Sequence, residues 1–290
     1  MSRLAFAANV ALLLVVQIAP AADPKVMKVG LPKSAFRDVP PALLTFAGEP
    51  FRDLMKSQTG FDGEVVMEAD AMNIARQLDT GKLHLGVFLG HEFAWAKDKY
   101  PALEPLVCSV PRPPEVQAFL LVRWDCKATG LADFKGQKLA LAKNSRDHAR
   151  LFLNRKRAED MGDGGFCSTE KADTVHDAIH KVIDGEADVT VADGAAWAYF
   201  QKLYPGNSQN LRVLAKSEVF PPSVIVCKKG ALSDDAVKKF HDGLMTTHES
   251  AKATKLMAVI KIEKFDELPK GYDDMLKACR KTYPTPLSDK

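Results

Sequence analysis

"ARQLDTGKLHLGVFLG", Ala75–Gly90, and "IHKVIDGEADVTVADG", Ile179–Gly194, are two versions of one pattern. Each reads as an amphipathic helix stopped at a glycine, a short apolar strand, and a second glycine where the next helix begins. Superposing Gly81 on Gly185 also superposes Gly90 on Gly194. A duplicated α/β unit implies two similar lobes. Open α/β sheets bind ligands beyond the carboxyl ends of their strands, so two such lobes are expected to face each other across a cleft. A chain built this way is suited to closing on something small.

Outward from these units the pattern continues. "MKVGL", Met27–Leu31, is a strand that runs into a loop carrying Lys33, Ser34, Phe36 and Arg37. "EPFRDLMKSQTG", Glu49–Gly60, reads as a helix with its stop glycine, and "GEVVMEA" as the next strand. Asp70 is placed to cap the following helix, because its carboxylate can accept from unpaired first-turn amides. "PRPPE", Pro111–Glu115, holds three prolines in five residues, which neither a helix nor a central strand tolerates. A second pair, Pro221 and Pro222, precedes the strand "SVIVCKK". Two proline-marked junctions predict two hinge crossings. Lobe one is then discontinuous, 23–115 plus 226–290, and lobe two spans 116–225. "GDGGF", from Gly162, reads as a flexible loop ahead of the second copy, and everything after Ser233 reads as helical. The expected class is α/β, with mixed, mostly parallel sheets flanked by helices.

The N-terminus has the form of an export signal. Arg3 precedes an apolar run, Leu4–Ile18, followed by small residues at Ala19–Ala22. Cleavage is expected near Asp23, giving residues 1–22 as a signal peptide and a mature chain in the periplasm or secreted. The run is short for a membrane span, which needs about 20 apolar residues. A net charge of +3 over 290 residues, with no Lys/Arg block, argues against a nucleic-acid partner. Five cysteines without a CxxC pair argue against a zinc knuckle, and leave one or two disulfides open in an exported chain.

Candidate ligand contacts stand after the strands: Ser34, Phe36 and Arg37 after the first, His91 and Glu92 after "LGVF", and Asp193 after "VTVAD". "KNSRDH" is the most suggestive segment. Asn144, Ser145, Arg146, Asp147 and His148 lie between a strand and a helix, where free amides and the positive end of the helix dipole attract an anion. Asp147 opposes this unless it faces away or pairs with Arg146. His176 opens a later helix and can donate to the same anion. His176 and His180, at i and i+4, have metal-site spacing but no third ligand, so no metal is expected. No nucleophile–base set, P-loop or GxGxxG is present, which leaves catalysis and cofactors without a basis.

The segments "GKLHLGVFLG", "AFLLVRWDCKATGLADFKGQKLALAKNS", "HDAIHKVIDGEADVTVAD" and "FPPSVIVCKKG" resemble the PhnD-type phosphonate-binding proteins, which have the two-lobed type 2 periplasmic binding fold. The resemblance runs from about Lys28 to the helix after Ser233. It implies a solute receptor of an ABC importer, without catalytic activity or cofactor, that carries a small phosphonate- or phosphate-like oxyanion to an inner-membrane permease, and that acts as a monomer. It places the anion at Ser145–His148 with help from His176. The chain departs from the family at several points. Arg146, Asp147 and His148 replace the usual Thr-Ser-Gly, Ala196 lies near the expected amine-binding glutamate, Ser223 replaces an aspartate, and no tyrosine lies near Asp70. These departures detach the aminophosphonate ligand from the fold. A sensor or adaptor of the same fold is an alternative, as is an exported metal-dependent hydrolase.

Overall fold

The computed structural model describes residues 23–37, 39, 49, 52–68, 70–259 and 261–285. The leader expected over 1–22 lies outside the described residues. The strands are β1 Val26–Pro32, β2 Asp62–Glu68, β3 Leu85–Phe88, β4 Leu103–Pro111, β5 Ala118–Arg123, β6 Lys138–Ala142, β7 Ser168–Ala172, β8 Val189–Asp193, β9 Leu211–Lys216, β10 Val224–Lys228 and β11 Ile262–Asp266. The helices are α1, described over 52–59, α2 Ala71–Asp79, α3 Gly90–Lys99, α4 Asp147–Met161, α5 Val175–Ile183, α6 Gly194–Leu203, α7 Pro205–Ser208, α8 Asp234–Met245, α9 Ala251–Val259 and α10 Tyr272–Thr282. The strands form two sheets, ordered β11-β4-β10-β3-β1-β2 and β7-β6-β8-β5-β9.

Both sheets are mixed, and the connections explain how. Strands followed by a crossover helix pair in parallel: β1 with β2 and β3, and β6 with β7 and β8. Strands that enter or leave by the proline junctions pair antiparallel: β10 with β3 and β4, and β5 with β8 and β9. Helices α2, α3 and α10 cover one face of the six-stranded sheet, with Ile74, Leu78, Phe93 and Leu276 almost fully buried. Each such side chain contributes about 1.5–3 kcal/mol by leaving water. In the five-stranded sheet, α5 and α6 cover one face and α4 the other.

The duplicated units superpose bond for bond. Gly81 and Gly185 adopt φ of +72° and +76°, the left-handed stop expected of each. Lys82 N–H donates to Gln77 O at 2.8 Å, and Glu186 N–H to Lys181 O at 2.9 Å. His84 N–H then reaches Lys28 O, and Asp188 N–H reaches Lys138 O, at 3.0 and 2.9 Å. Gly90 and Gly194 open ten-residue helices against the crossings. A Cβ on Gly90 would lie 1.8 Å from Pro221 O, and one on Gly194 would lie 3.5 Å from Gln117 O.

The crossings run side by side as a short antiparallel ribbon. Phe220 N–H donates to Val116 O at 2.9 Å, Ser217 N–H to Ala118 O at 2.8 Å, and Ser109 N–H to Ser223 O at 2.8 Å. The Arg112–Pro113 peptide is cis.

Two elements differ from the sequence reading. β7, "STEKA", follows the glycine loop, and β11, "IEKFD", interrupts the tail expected to be helical throughout. Both are sheet edges, paired on one side, and their polar sequences bury too little to show an apolar alternation. All five cysteines are free thiols, and Cys108, Cys227 and Cys279 are buried as small core residues.

Candidate functional site

The parallel strands of both sheets end at the cleft, and most of the expected residues follow from that. On lobe one, β1 delivers Ser34 within a 3₁₀ turn, and β3 delivers His91 and Glu92 on the first turn of α3. The Ser34 hydroxyl donates to Glu92 Oε1 at 2.6 Å, and Leu89 N–H donates to Oε2 at 3.1 Å. Burial nevertheless outweighs these bonds and lifts the Glu92 carboxyl to about 7. Burial, with His148 nearby, drives His91 down to about 3 and keeps it neutral.

On lobe two, β6 delivers Asn144 to His148. Arg150, one turn into α4, donates to three carbonyls of this loop: Ala142 O at 2.8 Å, Lys143 O at 3.1 Å and Ser145 O at 3.2 Å. Two of the loop's own amides are also engaged, Lys143 N–H with Ala172 O at 2.9 Å and Ser145 N–H with Ala142 O at 3.3 Å. Helix α4 begins with no side-chain cap. Ser145 is 1 % exposed, and its Oγ has no hydrogen-bond partner, nor does Asn144 Oδ1. Two orphaned polar atoms, a hydroxyl and an amide oxygen, thus stand at the start of a 15-residue helix.

Asp147 does not pair with Arg146. Its carboxylate takes Arg37 Nε from the other lobe at 3.0 Å. Burial lifts Asp147 above the ordinary aspartate value despite Arg37 and Arg150. Lys261, which the sequence reading did not consider, sits just before β11 and is close enough to His176 on α5 to disfavour its charge. Burial is the larger cause that holds His176 low. The cleft therefore carries Arg37, Arg146 and Lys261 against Asp147 and Glu92. Asp193 is buried and caps α6, accepting from Ala196 N–H at 3.1 Å. His176 stacks on Tyr199 at 5.4 Å, and His180 meets Phe200 and Tyr204 edge-on at 5.2 Å each, which gives the i, i+4 histidines a packing role.

Phe220, on the second crossing, lies between the lobes. Its ring meets His91 of lobe one at 6.1 Å, His148 of lobe two at 5.4 Å and Tyr283 at 4.6 Å. Arg155 of α4 stacks over Tyr283 at 4.9 Å and forks onto Glu218, with both contacts at 2.8 Å. Ser34, Phe36, Arg146 and His148 also line a cavity of about 420 Å³ that opens at the cleft. Arg37, His91, Glu92, Asn144, Ser145 and Asp147 adjoin lining residues without lining it themselves, and His176 and Asp193 do not border it.

Two lobes joined by two crossings, with Ser34, Arg37, Arg146 and His148 between them, have the form of a solute receptor. Comparison with known proteins agrees. The family model of ABC-transporter phosphonate periplasmic substrate-binding proteins matches residues 38–270. The chain belongs to that family. It is a solute-binding protein and not an enzyme, a periplasmic component that receives a small ligand and works with a membrane permease. No curated protein matches it by sequence. Among solved structures it is similar to XAC2383 from Xanthomonas citri bound to ATP (TM-score 0.65, 15 % identity, 90 % of this chain and 97 % of that one). It is also similar to PhnD1 from Prochlorococcus marinus in complex with methylphosphonate (0.61, 14 %, 89 % and 98 %). A third is the binding component PA3383 of a phosphonate transporter from Pseudomonas aeruginosa (0.59, 18 %, 90 % and 88 %). At these identities the likeness is one of fold.

Proposed function

We propose that the chain captures an oxyanion of the phosphonate or phosphate class between its lobes, seated on Asn144–His148 at the start of α4, and delivers it as a monomer to an inner-membrane permease. The observation that carries this is the buried, unpartnered Ser145 hydroxyl beside an uncapped helix N-terminus. A buried hydroxyl without a partner costs about 1–3 kcal/mol, which a bound oxygen would remove. Arg146 and Lys261 add positive charge, and the arginine can meet an oxyanion through two parallel N–H groups. Charge-assisted bonds of about 1.5–3 kcal/mol each bring a micromolar Kd, about 8 kcal/mol, within reach of a few contacts plus burial. His176 and Asp193 act behind the seat, by packing and by capping.

Titration calorimetry with methylphosphonate, phosphate, sulfate and acetate tests the reading. Ser145→Ala is expected to weaken the bound anion about tenfold and to leave thermal stability unchanged or raised, since it removes an orphan. Unaltered affinity in both Ser145→Ala and Arg146→Ala would place the anion elsewhere.

A further inference from the structure

The cavity that opens at the cleft is too large and too apolar for a phosphate-sized solute. On the α8 side of the six-stranded sheet the core is closed at one end, where Met27, Leu85 and Phe240 pack. Toward the cleft it stays open. The space of about 420 Å³ continues over Leu31, Val65, Val87 and Ile225, on four neighbouring strands. These four point to the same face as the closed core yet are only partly buried.

The polar groups of the cavity are few and sorted. The Thr59 and Thr247 hydroxyls donate within their own segments, to Met55 O at 2.6 Å and Gly243 O at 2.9 Å, which turns them from any ligand. Gln58 Oε1 accepts from Thr246 Oγ1 at 3.3 Å and the Ser109 hydroxyl reaches Ser223 O at 3.5 Å, and Ser34, Arg146, His148, Ser223 and Lys261 also line it. Arg146 and His148 come from lobe two, and Lys261 acts on His176 of lobe two, so the charged groups gather where the cavity meets the cleft. One charged mouth and one apolar interior is the layout of a site for a molecule with a head and a tail. The volume falls in the range of about 300–1,000 Å³ typical of small-molecule pockets. An apolar void costs stability in proportion to its volume, so an occupant that fills it is favoured.

We propose that the ligand is an amphiphilic oxyanion, an alkyl or aryl phosphonate or phosphate monoester, with its head at Ser145–Arg146 and its chain in this cavity. The proposal rests on anion capture at α4 and adds the class of substituent that the anion carries.

The test is a chain-length series, methyl-, butyl- and octylphosphonate, titrated into the full mature chain below micellar concentration, with 1-octanol as the uncharged control. Each methylene buried is expected to tighten binding about fourfold over the first several carbons, giving about a hundredfold or more between methyl and octyl. Val87→Phe and, independently, Val65→Phe fill the cavity. Each is expected to remove at least about tenfold of the octyl gain and to leave methylphosphonate within about twofold. A flat series in which methylphosphonate still binds overturns the tail site and leaves anion capture standing. Octanol binding as tightly as octylphosphonate, with no binding of methylphosphonate, overturns both.

Discussion

Arg37 of lobe one and Asp147 of lobe two form an ion pair across the cleft, Nε to Oδ1 at 3.0 Å. The sequence offers Asp147 a pairing with Arg146, and the structure gives it Arg37 instead. Their pairing answers how an aspartate can stand at the mouth of the proposed anion site: its charge is spent on the opposite lobe. The pair also ties the cleft mouth in the absence of solute. Arg37 is 43 % exposed, so solvent screening limits the pair to about 1 kcal/mol or less. Arg37→Gln is expected to shift the ligand-free protein toward more open forms by up to about fivefold, seen as a larger radius of gyration by X-ray scattering. Salt at about 0.5 M should reproduce the shift in the wild type. A variant whose scattering matches the wild type at every salt concentration would remove the latch role.

Glu92 and His91 are neighbours with opposite pH signatures. The Glu92 carboxyl is raised from 4.5 to about 7 in the folded state. Its contribution is fully present below pH 4.5 and is lost as pH rises through about 7, a change of about 3 kcal/mol. His91 is lowered from 6.5 to about 3, so its contribution is present above pH 6.5 and lost as pH falls toward 3. Between pH 4.5 and 6.5 the two slopes cancel. Glu92→Gln is expected to unmask the histidine, and stability from urea melts should then rise with pH across that interval. His91→Asn should do the reverse. A Glu92→Gln profile parallel to the wild type would mean that the carboxyl is ionised and solvated in the native cleft.

Gly90 is the position where the duplicated unit meets the hinge. A β-carbon there would lie 1.8 Å from Pro221 O, a backbone atom that cannot swing aside. Gly90→Ala must push α3 off the second crossing. A loss of several kcal/mol is expected, enough to prevent expression as a folded protein or to lower Tm by more than about 10 °C. Gly194→Ala, with 3.3 Å to a Phe119 ring atom and 3.5 Å to Gln117 O, should cost about 1–2 kcal/mol. Equal tolerance of the two alanines would mean that the crossing at Pro221 is looser than its geometry indicates.

Much of the fold was legible because the repeat carries its own punctuation: Gly81 and Gly185 stop helices, and Gly90 and Gly194 start them beside the prolines. β7 and β11 were not legible, since edge strands with polar sequence carry no buried face. At the site, the residues following β1, β3, β6 and β8 could be read from strand ends, but not their partners. Arg37 and Asp147 are joined by the closure of two lobes, and Lys261 reaches the cleft from a segment whose strand the pattern concealed. Arg150 had a local signal, a basic residue one turn beyond the Ser145 loop, whose hold on three carbonyls emerges from the helix geometry. The apolar cavity had none, because Leu31, Val65, Val87 and Ile225 look like ordinary core positions until the helices opposite them are placed.

Tyr283 holds the hinge by its ring more than by its hydroxyl or by the charges around it. The ring is 4 % exposed, stacks on Phe220 and lies under Arg155, and its carbonyl accepts from Trp95 Nε1 at 2.8 Å. The hydroxyl donates to Glu218 at 2.8 Å. Glu218 also receives Arg155, but its side chain is 55 % exposed, which discounts the ion pair to well under 1 kcal/mol. Tyr283→Ala, which deletes a buried aromatic ring from between Phe220 and Arg155, should therefore cost about 3 kcal/mol or more. Tyr283→Phe should cost about 1 kcal/mol, and Glu218→Ala less. Chemical denaturation of the three variants orders them directly. If Glu218→Ala proves as damaging as Tyr283→Ala, the lobes are held at this corner by charge, and the stacked rings merely fill the space that the charges leave.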